Sequence, residues 1–196
     1  MAPKIVMVRH VFADVDLAQK MLPDGFELVG AQPNSAEFKS AMTDAKFLVG
    51  FGDASMDDTF YRAAPKLKLV QLLSAGYDRC NVEAASRAGV PICNNGGANS
   101  VAVAEHTVML MLAVLKRVVQ MHNDVVAGKW RTTDARIHEL AGRTLGIIGL
   151  GNIGKKVARR AAAFDMTVQY YDIKRLTEDE EDALGIRFVL LTELLR

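Results

Sequence analysis

Gly149-Leu150-Gly151-Asn152-Ile153-Gly154 constrains this chain more than any other stretch. A G-x-G-x-x-G hexamer alone is a weak signal. Here it follows the apolar run Thr144–Ile148 and opens a helical pattern over 152–164. Asp172 then closes the next strand pattern, 18 residues after Gly154. Strand, glycine turn, helix, second strand and terminal acid in this order form the layout of a dinucleotide site. Gly149 is expected to make the tight turn, Gly151 to let a pyrophosphate approach, and Gly154 to allow close helix–strand packing. Amides at the helix start, including those of Asn152 and Ile153, are expected to face phosphate charge. Asp172 suits a ribose 2′-hydroxyl and repels a 2′-phosphate, favouring NAD over NADP. Lys174 and Arg175 point the other way, since a nearby cation could pair with that phosphate. The bland alternative is a tight turn that binds nothing.

The remainder reads as α/β. Strand patterns at Ile5–Val8, Phe26–Val29, Phe47–Phe51, Leu67–Leu73 and Pro91–Cys93 alternate with helical stretches near 14–22, 35–43, 57–64 and 81–88. Such alternation predicts βαβ units and a parallel, flavodoxin-like sheet. Asn34 with Glu37 resembles a capping box, and Gly89 followed by Pro91 is a helix stop. All five prolines precede residue 99, and Asn94-Asn95-Gly96-Gly97-Ala98-Asn99 is a loop between two different patterns. The expected division is 1–99 and 100–196.

One long helix is expected from Ser100 to about Ala127, capped by Asn99 or Ser100 and ended by Gly128. It is apolar on most sides, which suits burial between domains or subunits, with Met109 and Met111 as core filler. A polar connection spans 128–143. Strands at Thr144–Leu150, Thr167–Tyr171 and Ile186–Leu190 then alternate with helices at 152–164 and 177–184. Thr192 is expected to cap one more. A full dinucleotide fold has six strands, whereas the 53 residues after Arg143 suffice for three. The expectation is a first half of such a domain.

Composition narrows the classes. Half the residues are apolar and the formal net charge is +1, from 24 basic and 23 acidic side chains. That argues against disorder and against a nucleic-acid binder. No run is long enough to span a membrane and no signal peptide is evident, so a soluble, cytoplasmic protein is expected. Cys80 and Cys93 are too few for a disulfide framework and are read as buried thiols. Lys155, Lys156, Arg159 and Arg160 are read as a solvated helix face, and no histidine pair has metal-ligand spacing.

Four segments in this order resemble the D-isomer-specific 2-hydroxyacid dehydrogenases: Ser74-Ala75-Gly76-Tyr77-Asp78, Asn99 through His106, Gly128-Lys129-Trp130, and the glycine turn through Asp172. The resemblance implies a flavodoxin-like substrate domain followed by a Rossmann NAD-binding domain. It implies that the Ala75-Gly76-Tyr77 backbone and Asn99 hold a small 2-hydroxy or 2-oxo acid or formate. Ser100 and Val103 would line the nicotinamide side. It also implies a homodimer formed through the cofactor domain, to which the apolar helix would contribute. The family's catalytic arginine, acid and histidine are implied beyond residue 196. His10, His106, His122 and His138 do not match that role, and no catalytic residue is assigned here. Two readings follow: part of an NAD-dependent dehydrogenase, inactive as these 196 residues alone, or a non-catalytic NAD(H)-binding or subunit-pairing protein.

Overall fold

Short apolar runs set the first sheet. In the computed structural model, which describes residues 2–11, 13–130 and 136–196, the chain divides into a unit Met1–Ala98 and a unit Asn99–Arg196. The first unit runs β1 (Lys4–Val8), α1 (Val15–Lys20), β2 (Glu27–Ala31), α2 (Ala36–Met42), β3 (Phe47–Gly50), α3 (Asp58–Ala63), β4 (Leu69–Leu72), α4 (Val82–Arg87) and β5 (Ile92–Cys93). Every pairing in this sheet is parallel, in the order β2-β1-β3-β4-β5, the flavodoxin-like arrangement. Parallel strands covered on both faces need apolar residues on both, and Val6, Leu48, Val70 and Leu72 are buried with Phe38, Met42 and Tyr61 from the helices. Asp14, Ser35, Asp57 and Asn81 cap the four helices through their side-chain oxygens.

The second unit runs α5 (Ser100–Leu115), α6 (Val118–Val126), β6 (Thr144–Ile148), α7 (Asn152–Ala162), β7 (Thr167–Tyr171), α8 (Glu178–Leu184), β8 (Ile186–Phe188) and α9 (Leu191–Leu194). Its strands are parallel in the order β6-β7-β8, with β6 at an edge among the described residues. Ala104 of α5 packs with Leu150, Val157, Ala158 and Tyr170, so α5 and α7 share one core. Arg160 reaches Glu105 at 2.9 Å and adds an ion pair between the same two helices.

Several expectations are corrected. The long helix is two: Arg117 adopts φ 51°, a left-handed conformation that no helix continues through, and Lys116 and Arg117 close the turn onto Leu112 and Val114. Neither glycine nor proline marks the break. Asn99 occupies the N-cap position of α5, but its side chain makes no capping bond. Only Ser100, Ala104 and Val108 of α5 are buried, whereas Met109 is half exposed and Val114 more so. Ser35, not Asn34, caps α2, because Asn34 turns to φ 61°. Leu190 precedes α9, which puts Thr192 inside that helix. Cys93 is exposed rather than buried, and Arg160 is an ion-pair partner rather than part of a solvated face. The connection expected over 128–143 includes residues 131–135, which lie outside the described residues.

Candidate nucleotide and carboxylate sites

The second unit builds its site at the β6–α7 turn. Gly149 stands at φ 87°, a conformation that disfavours any side chain, and its amide donates to the Tyr171 carbonyl at 2.8 Å. A Cβ on Gly154 would run into the Gly149 carbonyl oxygen, so the absence of a side chain is what lets α7 lie against the end of β6. A Cβ on Gly151 would meet nothing within 4 Å, because it would project into the open space ahead of α7. Gly151 is the N-cap of α7 and no side chain caps it. The first amides of this 11-residue helix, those of Asn152 and Ile153 among them, have no partner within it and carry its positive dipole end.

Asp172 closes the other side. Its Oδ2 accepts from the Leu150 amide at 2.6 Å and its Oδ1 from the Lys174 amide at 3.0 Å. These bonds, Lys174's first, hold the carboxyl below the usual carboxylate range and keep it ionised at neutral pH. Each oxygen retains a lone pair for a ribose hydroxyl. The carboxylate thereby fixes the end of β7 to the glycine turn. Arg175 is already engaged, with its Nε 3.0 Å from Glu181 Oε1 and its guanidinium 5.2 Å from the centre of the Phe188 ring.

The arrangement fits a dinucleotide. Uncapped amides suit a pyrophosphate, the open Gly151 position admits it, and an ionised carboxylate stands where a ribose hydroxyl would donate. Ser100 is buried and Val103 half-buried at the start of α5, one turn from Ala104, while Asn99 is exposed. Among the described residues no group of His, Cys, Asp and Glu could hold a metal ion, and no helix is long and apolar enough to cross a membrane.

In the first unit, Ala75, Gly76 and Tyr77 follow β4 at the carboxyl edge of the sheet, where open α/β sheets bind ligands. Asn94 Nδ2 donates to the Ala75 carbonyl and Ser74 Oγ to the Gly76 carbonyl, both at 2.8 Å. A trans peptide points its N–H opposite its C=O. Anchoring those two carbonyls therefore turns the Gly76 and Tyr77 amides away from Asn94 and Ser74. The opposing influence is Asp78, whose Oδ2 lies 3.3 Å from where a Cβ on Gly76 would stand. An open apolar recess of about 800 Å³, lined by Tyr77, Val82, Val90, Ile92, Cys93 and Asn94, adjoins this loop. The sequence drew attention to Ala75, Gly76 and Tyr77 but not to Ser74 and Asn94 as their anchors. Asn94 sat in a loop signal that gives no direction to a side chain.

Known proteins resemble this chain along its whole length. Residues 108–196 match the family described as "D-isomer specific 2-hydroxyacid dehydrogenase, NAD binding domain". Over 203 residues the chain is 32% identical to a glyoxylate reductase of Korarchaeum cryptofilum, covering 100% of this chain and 60% of that protein. Among solved structures, the D-lactate dehydrogenase of Aquifex aeolicus complexed with NAD and lactic acid aligns with a TM-score of 0.84 at 26% identity, over 97% of this chain and 57% of that one. The NAD-dependent formate dehydrogenase of Staphylococcus aureus in complex with NAD aligns with a TM-score of 0.77 at 29% identity, over 98% and 62%. The chain thus spans about 60% of the length of the relatives it matches. Residues 108–196 thus belong with the NAD-binding domains of the D-isomer-specific 2-hydroxyacid dehydrogenases, and the whole chain is similar to members of that family.

Proposed function

We propose that this protein takes part in NAD-dependent hydride transfer between NAD(H) and a small 2-hydroxy or 2-oxo acid, with glyoxylate-sized acids as the leading class and formate as the outlier. The observation that carries the reading is the convergence of uncapped α7 amides and the ionised Asp172 on one glycine turn. When bound, NAD(H) supplies the hydride donor or acceptor for interconverting a 2-hydroxy acid and its 2-oxo acid, or for oxidising formate to carbon dioxide.

The chain's own residues bind and orient. Gly149, Gly151, Asn152, Ile153 and Gly154 form the pyrophosphate cradle, Asp172 receives a ribose hydroxyl, and Ser100 and Val103 line the nicotinamide side. The Gly76 and Tyr77 amides, with Ala75 and Asn99, hold the substrate carboxylate. NAD is preferred over NADP because Asp172 is a fixed negative charge. The family resemblance assigns the proton-transferring histidine, its acid and the carboxylate-orienting arginine to sequence outside these 196 residues, so the chain alone is proposed to bind without turnover. A reducing, cytoplasmic setting is part of the same reading, given the two unpaired thiols Cys80 and Cys93.

The test joins these 196 residues in register to the remaining 40% of the Korarchaeum relative and follows NADH oxidation with glyoxylate, hydroxypyruvate and pyruvate. Formate-dependent NAD reduction is followed alongside. Turnover of any of these supports the reading. A folded hybrid that binds NADH but acts on none of them refutes the substrate assignment.

A second reading is subunit pairing, favoured by Met109, Leu110, Val114, Val118, Val119, Val125 and Val126, which stand 48% to 74% exposed on α5 and α6. We propose a homodimer through this surface. Light scattering is expected to give twice the chain mass, and Val114→Glu to give a monomer. A wild-type monomer at micromolar concentration contradicts the pairing.

A further inference from the structure

Three residues beyond Asp172, Arg175 is chemically suited to neutralise a 2′-phosphate, yet it is turned to another task. Its Nε donates to Glu181 Oε1 at 3.0 Å, and its guanidinium lies over Phe188. Glu181 is 3% exposed, and its remaining valence is filled by the Tyr170 hydroxyl at 3.0 Å and by the Phe188 amide at 3.4 Å. The Tyr170 hydroxyl in turn accepts from the Leu176 amide at 2.9 Å. A buried carboxylate with this many donors holds its partner firmly, because losing the cation would leave a charge in a dry environment. Residues 172–176, the turn that follows β7, are thereby pinned from two directions. Asp172 holds its start to Leu150, and Tyr170 with Glu181 holds its end.

Building on the proposed cofactor reading, we propose that Glu181 is a specificity-determining positioning residue for the nucleotide. It keeps Arg175 on Phe188 and away from the ribose, so that the negative Asp172 meets a 2′-phosphate without a compensating guanidinium. Discrimination against NADP then has two parts, a repulsive carboxylate and a sequestered cation, and the second is set by a carboxylate six residues further along the chain. Glu181 does not touch the nucleotide in this account and acts only through Arg175.

The experiment measures NADH and NADPH dissociation constants for the 196-residue chain, Glu181→Gln, Arg175→Ala and the double variant, with circular dichroism to check folding. The Glu181→Gln change keeps the side-chain volume and an acceptor for Tyr170 but removes the charge that holds Arg175. It is expected to raise the NADPH-to-NADH affinity ratio about fivefold, the yield of one partly solvated charge pair. The gain should vanish in the double variant and in 0.5 M salt. Arg175→Ala alone should leave the ratio within about twofold, since the locked guanidinium contributes nothing to lose. A merely structural role for Glu181 would weaken both nucleotides together and leave the ratio fixed. An unchanged ratio in folded Glu181→Gln overturns the proposal. So does a severalfold loss of NADPH affinity in Arg175→Ala, which decides the matter even if Glu181→Gln does not fold. NADH binding by none of the proteins overturns the cofactor reading and this proposal together.

Discussion

β1 and β6 hold the same position in their units: each is the first strand of a parallel sheet and each ends in a turn that leads to a helix. β1 pairs on both sides, with β2 and β3, and Val6, Met7 and Val8 are all buried. β6 pairs only with β7 among the described residues, and of its five residues Ile147 alone is buried, while Ile148 is 65% exposed. The two runs, KIVMV and TLGII, are similarly apolar, so composition does not account for the difference; a second neighbour does. The glycine turn nevertheless keeps its shape on the one-sided strand. Two hydrogen bonds hold it, the Gly149 amide on Tyr171 and the Leu150 amide on Asp172, and the missing side chain of Gly154 leaves room for the Gly149 carbonyl. Core burial stabilises the first unit, and backbone ties define the site in the second.

The largest effect should come from the first unit's core. Leu72 is 1% exposed, and Leu72→Ala is expected to destabilise that unit by about 2–5 kcal/mol. Amide exchange in β1, β3 and β4 should accelerate while exchange in β7 stays unchanged. Equal acceleration in β7 would break the comparison.

Next come the paired glycines. Gly154→Ala places a methyl against backbone oxygen that has little room to yield, and about 1–3 kcal/mol of destabilisation is expected along with more than about tenfold weaker NADH binding. Gly151→Ala has open space, so its melting temperature should hold while NADH affinity falls by about tenfold, because the methyl occupies the pyrophosphate's approach. Titration and thermal melting of both variants separate a packing glycine from a clearance glycine. Equal loss of stability in both would contradict that distinction.

A smaller effect is expected at Asp172. Its carboxyl is depressed in the fold, so the stabilisation it gives is complete above the unfolded value of about 3.9 and is lost as pH falls through the lower folded value. NADH affinity should therefore be flat from pH 8 to pH 5. A midpoint at or above the ordinary aspartate value of about 3.9 would show that the carboxylate is not held by the amides. Smallest of all, Ile148→Thr on the one-sided strand should change stability by no more than about 0.5 kcal/mol, as measured by urea unfolding.

Much of this was legible because the patterns were local. The glycine spacing and the acid at the end of β7 identified the turn, and β-branched runs located the strands β1 to β8 to within about two residues. What escaped was decided by contacts distant in sequence or by conformations without a residue marker. The break at Arg117 has neither glycine nor proline, and Asn34 gave way to Ser35 by one position. The anchoring of Ala75 by Asn94 spans 19 residues, and the capture of Arg175 by Glu181 depends on which way one helix faces. Lys174 and Arg175 looked alike as charges near a ribose site. Only the fold shows that Arg175 is already in use.

The measurement that bears most directly on the proposed nucleotide site is a titration of the isotope-labelled 196-residue chain with NADH, read amide by amide by NMR. The account predicts saturable shifts concentrated on Gly149 through Gly154 and on Asp172, with the strands of the first sheet unmoved. Shifts confined to other parts of the chain, or none in a folded protein, would contradict it.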